Sequence, residues 1–217
     1  MMDPETYDRW YNTPRGRWIG QREIALLIDG LQPLPGESLL EVGSGTGYFT
    51  RALSSLIGGT TVGIDLDPAR VAYARGRGGD NVSYAIADSL ELPYPDASFD
   101  LVVSVAALCF TKDARAAVRE MLRVSRRRIA IGMLNHNSLL WRRKGIGGGS
   151  GGYKGARWHT VDEVKNILTG LPLRVLSIKT AIYLPSGNWM ARAVERLFSG
   201  RLRSGAFILA VAEKADE

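Results

Sequence analysis

The chain has 217 residues, 45% hydrophobic and 23% charged, with a formal charge of +6 and one cysteine, Cys109. At about 150 residues per domain, that length favours one elaborated domain over two. The lone cysteine excludes a disulfide framework and a cysteine-built zinc site, and two histidines argue against a His-rich metal centre, so no metal is expected. No apolar run approaches the ~18 residues of a membrane span. The polar, acidic start Met1-Met2-Asp3-Pro4-Glu5 does not read as a signal peptide, so the expected address is the cytoplasm, without membrane insertion.

Short apolar runs alternate with helical patterns, which is the signature of a parallel sheet covered by helices. Ser38–Val42 reads as the first buried strand and Thr60–Asp65 as the second. Asp67 then caps a helix with Pro68 at its first position, where a missing N–H costs nothing. Val82–Ile86 and Phe99–Ser104 read as the third and fourth strands. Lys112–Val124 repeats apolar residues at helical spacing with arginines between, and Arg128–Met133 is the fifth strand. Gly145–Gly152 is a glycine-rich loop, read as a flexible connection. Thr160 and Glu163 form a capping box ahead of Val161, Val164, Ile167 and Leu168. Two β-rich stretches, Leu173–Tyr183 and Ala206–Ala212, flank an amphipathic helix at Trp189–Phe198, whose Met190, Ala193, Val194 and Leu197 are expected to pack on the core, the sharper alternative being a substrate cap or a dimer face.

Charge is uneven along this plan. Ten basic residues face only Asp113 and Glu120 between Thr111 and Gly145. Such a zone can attract phosphates or nucleic acid; the plainer reading is a solvated helix face followed by a basic turn.

The strongest chemical signal is Leu39-Leu40-Glu41-Val42-Gly43-Ser44-Gly45-Thr46-Gly47-Tyr48, a glycine-rich turn that leaves a buried strand and opens a helix. Glycines permit left-handed backbone angles and close approach of a ligand, and the helix start offers free N–H groups. The dinucleotide fingerprint wants Gly or Ala where this chain has Tyr48, which argues against a pyrophosphate-binding turn.

Glu41-x-Gly43-x-Gly45-x-Gly47 resembles the first motif of class I S-adenosylmethionine-dependent methyltransferases. Val62-Gly63-Ile64-Asp65-Leu66-Asp67-Pro68, the segment Ala87–Asp100 and Glu120-Met121-Leu122-Arg123-Val124 resemble the motifs that follow. The nearest relatives implied are the small-molecule branch similar to the ubiquinone and menaquinone biosynthesis methyltransferases. The resemblance implies a Rossmann-like α/β fold with helices on both faces of a seven-stranded, mostly parallel sheet, its last strand antiparallel, in the order 3-2-1-4-5-7-6. It implies one domain over 1–217: cap helices in 1–36, a cofactor-binding core in 37–135, and a substrate-side elaboration with the last strands in 136–217.

The cofactor implied is S-adenosylmethionine. Gly43, Ser44, Gly45 and Gly47 would leave room for its methionine half, and Glu41 would hold the loop and balance positive charge. Asp65 would accept both ribose hydroxyls, since a carboxylate is acceptor-only and takes two donors. Asp88 and Ser89 would meet the adenine edge; Ile64, Leu66 and Leu90 its faces. Ala106, Tyr7 and Trp10 complete the implied set. The partner implied is a small-molecule acceptor, with nucleic acid disfavoured because no recognition module is appended, and with a monomer or homodimer as the assembly.

Two features depart from the family pattern. Ser125-Arg126-Arg127-Arg128 stands where relatives carry a glycine turn, and no acid–base pair is evident. The weak catalytic candidates are His136, Tyr11 and His159. An RNA methyltransferase and a non-catalytic S-adenosylmethionine-binding module are the alternatives.

Overall fold

The structure, a computed structural model, describes residues 3–198 and 200–215. Seven strands form one sheet in the order β3-β2-β1-β4-β5-β7-β6. These are β1 (Leu39–Val42), β2 (Thr61–Asp65), β3 (Val82–Ile86), β4 (Phe99–Val105), β5 (Ser125–Leu134), β6 (Leu173–Ala181) and β7 (Phe207–Lys214). The first five run parallel, and β7 is antiparallel to both β5 and β6. β1, β4, the second half of β5 (Ile129–Leu134) and most of β7 are covered on both faces and are accordingly mostly apolar.

Eight helices complete the fold: α1 (Pro4–Trp10), α2 (Pro14–Leu31), α3 (Tyr48–Ile57), α4 (Pro68–Arg77), α5 (Ala114–Val124), α6 (Leu139–Lys144), α7 (Val161–Leu168) and α8 (Trp189–Phe198). Right-handed crossovers outward from β1 on one side and from β4 on the other put α3 and α4 on one face and α5 on the opposite one. The chain reverses direction across the centre of the sheet, between β1 and β4, and the carboxyl ends of the strands open a crevice there. The sequence signals act where expected: Asp67 caps α4 by accepting from Ala69 N–H at 2.9 Å, and Thr160 and Glu163 close a capping box on α7.

Three expectations need correcting. β5 begins at Ser125, so Arg126 and Arg127 already lie within the strand, ahead of Arg128, instead of forming a turn. Gly145–Gly152 is not a free connection: two 3₁₀ turns, Ile146–Gly148 and Gly151–Tyr153, shape it and pack Tyr153 against the core. The apolar stripe of α8 faces outward, with Trp189 76% and Leu197 64% exposed. What α8 buries is Glu195, which accepts from Arg22 at 2.8 Å and from Ile182 N–H at 2.8 Å.

Half of the basic zone, Arg115, Arg123, Arg126, Arg127 and Arg128, helps to hold the fold. Arg127 grips Glu37 through two bonds of 2.6 Å and also donates to the Leu31 and Gln32 carbonyls. Arg128 donates to the Gly30 and Leu31 carbonyls, so two arginines close the carboxyl end of α2, where the helix dipole is negative. Arg115 does the same for α7, and Arg123 ties α5 to the Leu92 and Tyr94 carbonyls. Arg127→Ala should cost about 1.5 kcal/mol, a fall of roughly 3–6 °C in Tm by calorimetry, because a half-buried bidentate pair exceeds the ~0–1 kcal/mol of an exposed one.

Candidate functional site

The crevice is floored by the turn after β1. Gly43 and Ser44 N–H groups both donate to the Ile64 carbonyl, at 2.8 and 2.7 Å, which bends the chain toward β2. Gly43, Gly45 and Gly47 all have positive φ, +76°, +54° and +78°. Their surroundings differ. A Cβ at Gly43 would lie 2.1 Å from Ala107 Cβ, and one at Gly47 would lie 2.3 Å from Tyr84 Oη, so both serve close packing within the protein. At Gly45 only the Arg70 guanidinium approaches, at 3.8 Å, leaving its surface open.

Asp65 ends β2 beside that open surface. Its Oδ2 accepts from Gly45 N–H at 2.8 Å and its Oδ1 from Asp67 N–H at 3.0 Å. One lone pair on each oxygen remains for a ligand. Leu66 is 65% exposed next to it, an unusual position for a leucine. Asp88 is exposed and accepts from Leu90 N–H at 2.9 Å, in a turn that half-buries Ser89 and Leu90. Ile64 is 1% exposed and packed in the core, so it offers no face to a ligand, contrary to expectation. Ala106 ends β4 with φ +58°, held by its N–H on the Gly132 carbonyl. Among the described residues, the buried hydroxyls of Ser44, Thr46 and Ser104 have no partner.

Glu41 is 1% exposed beneath the turn, and its Oε2 accepts from the Thr50 hydroxyl on α3. Burial pushes its carboxyl up to about 8, and the neighbouring Asp65 charge adds to the shift. A carboxyl held near 8 is mostly protonated at neutral pH and ionises readily beside a cation.

α1 lies across the turn. Its Asp8 is buried and takes Arg51 of α3 at 3.2 Å, Tyr73 of α4 at 3.3 Å and Arg77 of α4 at 3.5 Å. That latch sets Tyr7 and Tyr11 hydroxyl to hydroxyl at 3.3 Å and stacks Tyr11 on Tyr48 at 3.8 Å. Trp10 meets Tyr11 edge-on at 4.9 Å. α2 packs along β5, β6 and β7 and also against α3, where Gly20 meets the Tyr48 ring at the end of the turn.

Comparison with known proteins decides what this crevice belongs to. Residues 40–128 match the family model described as a methyltransferase domain. An uncharacterised protein of Mycobacterium tuberculosis is 31% identical over 216 residues, spanning 96% of this chain and 71% of that one. The malonyl-[acyl-carrier protein] O-methyltransferase of Serratia marcescens is 32% identical over 164 residues, 75% of this chain and 60% of that one. The magnesium protoporphyrin IX methyltransferase of Synechocystis, solved with bound S-adenosylhomocysteine, superposes with a TM-score of 0.67 at 16% identity over 98% and 96% of the chains. Residues 40–128 belong to the methyltransferase-domain family, and the whole chain has the fold of S-adenosylmethionine-dependent methyltransferases.

The residues of this methyltransferase fit its cofactor. The open face of Gly45, the orphaned Ser44 and Thr46 hydroxyls and the spare lone pairs of Asp65 converge on the crevice that such a ligand would enter.

The catalytic candidates fare unequally. Tyr11 is a poor base: burial first, then the Tyr7 and Glu23 charges, raise its phenol well above the usual value. His159 is 1% exposed in a bridge to Asn135, and burial keeps it neutral, with Nδ1 unpartnered. His136 is half-buried at the end of β5, its ring 3.9 Å from that of Trp141. Sequence reasoning missed Glu23 and Asp8. Glu23 stands on the apolar stripe of α2 among the buried Gly16, Ile19, Gly20, Leu26 and Leu27, and that i, i+3, i+4 spacing was the available signal. Asp8 gave none, because its partners are 43 and 65 residues away.

Proposed function

We propose that this methyltransferase acts on a small organic acceptor held between α1, α2 and the carboxyl ends of β4 and β5. The buried, unpaired Cys109 suits a reducing, cytoplasmic setting. S-adenosylmethionine supplies an electrophilic methyl group on a sulfonium. Asp65 accepts the ribose hydroxyls, and the open surface of Gly45, with Ser44 and the tightly packed Gly43 and Gly47, borders the methionine half. Leu66 and Leu90 cover the adenine, while Asp88 and Ser89 sit at its edge. Glu41 ionises to balance positive charge. Ala106, Tyr7 and Trp10 close the site from β4 and α1 and exclude water, so the chain contributes chiefly alignment of an in-line displacement.

The observation that carries this reading is the carboxylate at the end of β2, hydrogen-bonded 2.8 Å from the one glycine of the turn whose surface is open. Five of the arginines that suggested nucleic acid, Arg115, Arg123, Arg126, Arg127 and Arg128, are engaged with backbone carbonyls and carboxylates, which favours a small acceptor. Calorimetry should give micromolar binding of S-adenosylmethionine and S-adenosylhomocysteine, about −8 kcal/mol, and none of NADH. Absence of binding by both S-adenosylmethionine and S-adenosylhomocysteine would overturn the assignment.

A further inference from the structure

The side chain in this crevice that most needs a partner is Glu23. α2 runs from the turn end of the sheet to the opposite end: Gly20 abuts the Tyr48 hydroxyl, and Gly30 abuts Val211 of β7. Glu23 lies seven residues before Gly30, roughly 10 Å nearer the crevice at 1.5 Å per residue. That is level with Ile208, which pairs with Met133 at the carboxyl end of β5. No hydrogen bond or ion pair reaches its carboxylate among the described residues.

What surrounds Glu23 is aromatic. Tyr7 and Tyr11 of α1, Tyr48 of α3 and Tyr153 of the glycine-rich loop each have a phenol raised by burial first and by the Glu23 charge with it. Arginine charges act on three of these rings, Arg17 on Tyr48, Arg15, whose Nε is buried, on Tyr153 and Arg70 on Tyr7; Asp8 also acts on Tyr48 and Glu41 on Tyr7. None of these cations is paired with Glu23. An unpaired carboxylate among aromatic side chains, with no cation of the protein paired to it, is suited to an organic cation.

We propose that Glu23 anchors a basic amine as the methyl acceptor and takes its proton. The inference rests on the methyltransferase reading above and adds the substrate class. The bound ammonium passes one proton to the Glu23 carboxylate, leaving a neutral amine and a neutral carboxylic acid. The nitrogen lone pair forms the new C–N bond as the C–S bond breaks, and that electron pair stays on the sulfur of the resulting thioether. The positive charge ends on the methylated ammonium. Proton transfer is feasible because burial pushes Glu23 up to about 8; an ordinary carboxyl, near 4.3, lies about six units below an aliphatic ammonium near 10.4.

The test uses the full chain and three probes of one shape: phenethylamine, 2-phenylethanol and phenylacetate. Phenethylamine should bind best, and at least tenfold more tightly at pH 8.5 than at pH 6.5 as Glu23 ionises. Glu23→Gln should lose at least tenfold affinity for the amine together with the pH dependence, Glu23→Asp should restore part of both, and neither should alter 2-phenylethanol binding. Equal or tighter binding of the alcohol or the carboxylate, no binding of any probe, or an unchanged Glu23→Gln would overturn the proposal. Titrating S-adenosylhomocysteine into the same preparations separates the failures. Retained cofactor binding without amine preference sinks only the role of Glu23; lost cofactor binding in the unsubstituted protein sinks the site itself.

Discussion

Asp65→Ala should raise the Kd for S-adenosylhomocysteine about 100-fold, close to 2.7 kcal/mol. The carboxylate has two tasks at once. It fixes the turn through Gly45 N–H at 2.8 Å and the start of α4 through Asp67 N–H at 3.0 Å. It also presents the remaining lone pairs to two ribose hydroxyls, and hydrogen bonds to a charged group are worth roughly 1.5–3 kcal/mol each. Asp65→Asn keeps the shape and one acceptor oxygen, so it should lose only about tenfold. Calorimetric titration of the three proteins checks this. A Kd for Asp65→Ala within threefold of the unsubstituted value would mean that the ribose is held elsewhere.

The second large effect divides stability from binding. The Glu41 carboxyl titrates near 8 in the fold against 4.5 for an ordinary one. Between those values the unfolded chain has released the proton and the folded chain still holds it. The unfolded state therefore binds fewer protons, and stability falls as pH rises from about 4.5 to about 8. Glu41→Gln removes that loss while keeping an oxygen for the Thr50 hydroxyl. It should match the unsubstituted protein near pH 5 and exceed it by about 2 kcal/mol at pH 8.5, read from urea midpoints. Its affinity for S-adenosylmethionine should fall at least tenfold, and the tightening of binding expected between pH 6 and 8 should vanish. Equal pH slopes of affinity in both proteins would remove Glu41 from charge balance and leave it a purely structural group.

The strand and helix plan was legible because buried parallel strands are short apolar runs and because caps are local. Asp67, Thr160 and Glu163 act within three residues of themselves. Charge misled where its partner was distant. Arg126 and Arg127 look like a turn in isolation, yet they extend β5, Arg127 being neutralised by Glu37 and the carboxyl end of α2, some 90 residues back. Met190 and Leu197 belong to a stripe that reads as core, yet both are exposed, and the anchoring contact of α8 is the carboxylate of Glu195. In the site, glycine spacing located the turn but could not say that Gly43 and Gly47 answer to Ala107 and Tyr84 while Gly45 is open. Glu23 passed for one more helical charge, since its burial is made by α1, α3 and the loop around Tyr153 together.

The grip of Arg127 and Arg128 on the last turn of α2 makes that helix a lever with its fulcrum at Leu31. Glu23 lies eight residues along the arm, about 12 Å from the pivot. A tilt of about 5° at the fulcrum would carry its carboxylate about 1 Å, a displacement that can cost a reaction 100-fold. The turn after β1 is not on that arm. Loosening the pivot, as in Arg127→Ala, should thus leave cofactor affinity intact and show itself in turnover of the acceptor, far from the substituted residue.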